Sequence, residues 1–148
     1  MALCVLFLLL AGWTKAAQAQ PTALSVSGSP AAFTVTTAIA GLQPAGLSNN
    51  ATTYFVKVKN SAGVKKITAS LNSPMPVGTT LTLQMVAPSG ATSLGAVGLD
   101  ATARDVVVNI SKQNGVTLGI TYAFTATVAA GVLPVQNRTV TLSLVNFP

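Results

Sequence analysis

The sequence predicts an all-β protein folded as an antiparallel β-sandwich of about seven to eight strands, and three observations carry that expectation. Short runs in which apolar side chains alternate with Thr, Ser or Ala recur along the chain, the period of a strand with one buried face. Gly, Pro and Asn interrupt these runs at short spacing, as they do at the corners of a sandwich. No segment after residue 19 has a helical period, and no repeat at a fixed spacing appears.

The chain opens on an apolar run over residues 2–12, followed by small residues ending Ala17-Gln18-Ala19. This pattern predicts a cleavable signal peptide over 1–19, with cleavage before Gln20, although no Lys or Arg precedes the run. A membrane span needs about 20 apolar residues, and Lys15 and Gln18 interrupt this stretch too early, so no span is expected in the mature chain. Cys4 is the only cysteine and falls within the signal. The expected product is therefore a secreted, extracellular or cell-surface domain over 20–148, without disulfides, whose stability rests on apolar burial and sheet pairing.

Leu24 and Val26 alternate with Ala23, Ser25 and Ser27 in a first short strand; Phe33 and Val35 alternate with Thr in a second piece after Pro30. Residues 20–38 together form a candidate exchanged N-terminal strand, and 39–51 read as a loop. Thr53 to Lys59 and Val64 to Leu71 read as a hairpin about Asn60-Ser61-Ala62-Gly63, with Tyr54, Val56, Val58, Ile67, Ala69 and Leu71 inward. In that hairpin Lys57, Lys59 and Lys66 share the outward face beside Phe55.

After Pro74-Met75-Pro76, Thr79 to Ala87 reads as a strand burying Leu81, Leu83 and Met85. Asp100 and Arg104, four apart, suit one turn of helix capped by Asp100. Val106 to Ile110 reads as a strand, and Gln113-Asn114-Gly115 as a tight turn into Gly119 to Ala129. That last stretch has apolar or aromatic residues at every even position from Ile120 to Val128, and is the expected central strand. Arg138 to Val145 is the final strand, with Val140, Leu142 and Leu144 inward.

Composition argues against catalysis. The chain has no His, no Glu and two acids, Asp100 and Asp105, so general acid-base pairs, activated nucleophiles and metal sites lack their usual residues. No enzyme activity, cofactor or metal is expected. The formal charge of +6 reflects scarce acids rather than many bases, since eight Lys and Arg are few for a nucleic-acid binder, and nucleic acid is not an expected partner. The lysines at 57, 59 and 66, with Phe55, are a candidate contact for an anionic polymer or cell surface; the same lysines also suit a solvated strand pair guarded against edge aggregation.

The layout of a cleavable signal, an alternating N-terminal strand at Thr22 to Ser27, Thr-rich strands and a last strand followed by Phe147 resembles bacterial pilins of the donor-strand type. That resemblance implies an immunoglobulin-like sandwich and self-association into a filament, each subunit inserting its N-terminal segment into a neighbour. Leu24 and Val26, with Phe33 and Val35, then occupy the inserted positions. The chain departs from the pattern in lacking a cysteine pair and in the placement of Gly131. Two functions are thus expected: a pilus or filament subunit polymerising by β-strand exchange, or a secreted monomeric β-sandwich that binds polysaccharide or a cell surface.

Overall fold

The computed structural model describes residues 22–36, 42–132 and 134–148; the signal-peptide reading of 1–19 lies outside them. The described residues form two antiparallel sheets stacked as a β-sandwich. One sheet has five strands, in the order β1 (Ala23–Ser27), β2 (Leu47–Val58), β8 (Gln113–Ala126), β4 (Thr79–Met85), β6 (Val97–Gly98). The other has four: β5 (Thr92–Ser93), β7 (Arg104–Ile110), β3 (Lys65–Leu71), β9 (Val140–Asn146). No helix among them is long and apolar enough to cross a membrane.

The alternation read from the sequence decides the core. Tyr54, Val56 and Val58 of β2, Leu81, Leu83 and Met85 of β4, and Ile120 and Tyr122 of β8 come from one sheet. Ile67, Ala69 and Leu71 of β3 meet them from the other, with Val106, Val107 and Ile110 of β7. Each of the larger side chains contributes about 1.5–3 kcal/mol by leaving water. The expected central strand is central: β8 pairs with β2 on one side and β4 on the other. Its outward Thr117, Thr121 and Thr125 extend a hydroxyl face onto Thr80, across from Thr125, and Thr82, across from Ala123.

Several local expectations are overturned, and most for one reason. Asn60 to Gly63 does not close a hairpin. A 3-10 turn over Asn60–Ala62 carries the chain from β2 in one sheet to β3 in the other. The apolar stripes of these strands meet across the core instead of lying side by side, an arrangement with the same period of two. Likewise β7 and β8 belong to different sheets, and the chain crosses between them at Ser111 and Lys112, so Gln113-Asn114-Gly115 lies inside β8.

Bulges hide other segments from a periodic reading. β2 begins at Leu47, inside the expected loop, because a register shift between Asn49 and Thr52 breaks its alternation. In β7 a shift opposite Ile67 and Thr68 turns both Val106 and Val107 inward, and Asn109 takes a positive φ of 59° near the strand's end. Ala32 to Thr36 forms no strand; Phe33 instead stacks on Phe124, with ring centroids 6.0 Å apart. Asp100 and Arg104 do pair, but across a bend: the Asp100 carboxylate also accepts the Thr102 N–H at 2.7 Å, capping a turn with no helix behind it.

Candidate functional site

The sandwich is closed along one side and open along the other. On the closed side β5 and β6 flank the short link Leu94 to Ala96, which joins the two sheets. On the open side lie β1 and β9, each the outermost strand of its sheet, and each with one edge unpaired among the described residues. β1 touches β9 across this seam.

β1 runs antiparallel to β2 of its own chain, with Leu24 opposite Val56 and Val26 opposite Tyr54. Directly opposed side chains point to the same face, so both apolar residues of β1 face inward. Nothing from the opposite sheet fully covers them: Leu24 is half-buried and Val26 is 48% exposed. The far wall of the seam shows the same deficit. Val140, Leu142 and Leu144 of β9 lie opposite the buried Leu71, Ala69 and Ile67 of β3, yet each remains half-buried.

Gly28 ends β1 with φ at 84°, and a Cβ there would stand 2.6 Å from the Ala51 carbonyl oxygen, which is why only glycine leaves the strand this way. Thr22 ties the other end, its hydroxyl accepting the Lys59 N–H at 3.3 Å. Of the other two residues read as part of the exchanged segment, Phe33 packs against the core and borders an open groove of about 280 Å³ with Leu47 and Asn49. Val35 is exposed and belongs to no strand.

The basic patch expected from the hairpin is not assembled as expected. Lys57 and Lys59 lie at the end of β2, whereas Lys66 lies on β3 in the other sheet and forms an ion pair with Asp105 at 3.0 Å. Phe55 is not a free aromatic platform, since its ring covers the backbone of Gly115 on β8. What joins Lys57 and Lys59 is Lys112 from the crossing between β7 and β8, with Asn60, Gln113 and Asn114 around a shallow recess of about 180 Å³. Lys112 is more than 50 positions from Lys59 in the chain, and no local pattern linked them.

Burial and pairing perturb few groups. Tyr54 donates its hydroxyl to the Val86 carbonyl, and burial pushes its pKa up to about 12. Burial also raises Tyr122. The hydrogen bond from Arg104 holds the Asp100 carboxyl below its usual range, aided by the Thr102 N–H.

Comparison of the chain with protein-family models, with curated proteins and with solved structures returned no match.

Proposed function

We propose that the chain is an exported structural subunit that polymerises by β-strand exchange, β1 leaving its own sheet to pair with β2 of a second copy. The observation that carries this reading is the open seam, where inward-facing Val26 is 48% exposed beside a β9 whose own inward residues are half covered. A strand so placed is held by five residues of ladder and one partly buried leucine. Those contacts are the same whether β1 comes from its own chain or another, so exchange costs little beyond the opening of the strand.

The connection is long enough. Residues 28–46 separate β1 from β2, and none of the described members belongs to a strand. Nineteen extended residues reach about 60 Å, more than the width of a sandwich. Swapping through a long link also leads from closed dimers to open chains when the operation does not close on itself.

Negative-stain electron microscopy of the purified protein, with and without deletion of residues 20–29, tests the proposal. Filaments from the intact chain and folded particles from the deletion are expected. Particles alone from the intact chain at every concentration overturn it, and so do filaments that persist in the deletion.

A further inference from the structure

The described cations are divided unequally between the two ends of the sandwich. β2 ends, β3 begins, β7 ends and β8 begins at one end, which gathers Lys57, Lys59, Lys65 and Lys112. The two arginines lie toward the other, Arg104 at the start of β7 and Arg138 just ahead of β9. Neither acid of the chain lines the recess: Asp100 pairs with Arg104 toward the other end, and Asp105 pairs with Lys66, the neighbour of Lys65 on β3. Lys65 donates to the Asn146 side chain at the tip of β9, which fixes one ammonium group there.

We propose that this lysine end is a binding site for an anionic polysaccharide, the recess between Lys57, Lys59 and Lys112 receiving one negatively charged sugar. Lysines from the end of β2 and from the β7–β8 crossing line the recess together with Asn60, Gln113 and Asn114, whose amides are of the kind that bond sugar hydroxyls. A volume of about 180 Å³ suits a single sugar unit, not an extended ligand.

Other polyanions fit the surface less well. No aromatic side chain lines the recess, so bases of a nucleic acid have nothing to stack on. A lipid bilayer would call for apolar side chains at the tip; Val64, 42% exposed, is the sole large hydrophobic residue of the 59–65 crossing that stands out. Lysine rather than arginine supplies the charge, giving point attraction without a bidentate fork. The site does not depend on polymerisation, and is present in a single subunit.

Retention of the purified protein on immobilised polygalacturonate, against neutral dextran, is the test. Retention on polygalacturonate that weakens with added salt, and none on dextran, is expected. Lys112→Gln should weaken binding about three-fold and Lys59→Gln/Lys112→Gln at least about five-fold. Arg138→Gln removes the same charge at the opposite end and should change binding by less than about two-fold. Equal weakening by Arg138→Gln would show net charge alone at work and overturn the site. Absence of retention, or binding to anionic lipid vesicles but not to polygalacturonate, overturns the polysaccharide.

Discussion

The ring of Phe55 lies directly over Gly115, so close that a Cβ built on the glycine would meet the Phe55 Cζ at 2.9 Å. The two residues sit on neighbouring strands, β2 and β8, where Phe55 is opposite Thr117. A glycine at φ 109° would otherwise leave bare backbone on the outer face of the sheet; the aromatic ring covers it.

The pairing predicts coupled mutational effects. Gly115→Ala should lower stability by about 1–3 kcal/mol through strain at positive φ and collision with the ring. Phe55→Ala should cost about 1–2 kcal/mol, as expected for a half-buried aromatic. In the double variant the collision is gone, so the combined loss in urea unfolding should fall short of the sum. Strict additivity would mean the ring and the glycine do not interact.

Tyr54 predicts an alkaline limit to stability. Its folded pKa of about 12 exceeds the ordinary value of 10.0, so the folded state keeps a proton that the unfolded chain gives up. The contribution is full below pH 10 and is lost as pH rises toward 12, by about 2–3 kcal/mol. Unfolding measured from pH 8 to 12 should show this fall, and Tyr54→Phe should flatten it.

The acidic side should be nearly flat. The chain has no histidine to charge between pH 5 and 8, and only two carboxylates to neutralise below that. Asp100, whose pKa is lowered on folding, contributes above its ordinary value of 3.8 and loses that contribution as pH falls further. Circular dichroism should therefore report a folded sheet at pH 3, and cooperative unfolding between pH 4 and 6 would contradict the assignment.

Thr52 is buried with its hydroxyl unpartnered among the described residues. A polar atom desolvated without a hydrogen bond costs free energy, so Thr52→Val should stabilise the protein by about 1 kcal/mol. A loss of similar size in thermal unfolding would show that the hydroxyl has a partner.

Strand faces were legible in the sequence wherever one side of a strand meets the core, as in Tyr54 to Val58, Leu81 to Met85 and Ile120 to Phe124. Sheet membership was not. Turn residues such as Asn60 to Gly63 serve equally to close a hairpin or to cross from one sheet to the other, and only the packing of distant strands decides between them. That distinction moved Lys66 away from Lys57 and Lys59 and brought in Lys112. The bulge at Asn50 and Ala51 hid the first third of β2, because one extra residue against β8 flips the alternation. Leu24 and Val26 were read correctly as one face of a strand; that this face opens on an uncovered seam depends on where β9 ends up.

The register of β1 permits a direct test of strand exchange. Ser27 and Thr53 are opposed across β1 and β2, next to the inward pair Val26 and Tyr54, so both point outward and lie within reach of a disulfide. In a Cys4→Ser background, Ser27→Cys/Thr53→Cys should oxidise between chains, giving a ladder on a non-reducing gel that collapses to monomer on reduction. A product linked only within single chains, at every protein concentration, would place β1 permanently in its own sheet and contradict exchange.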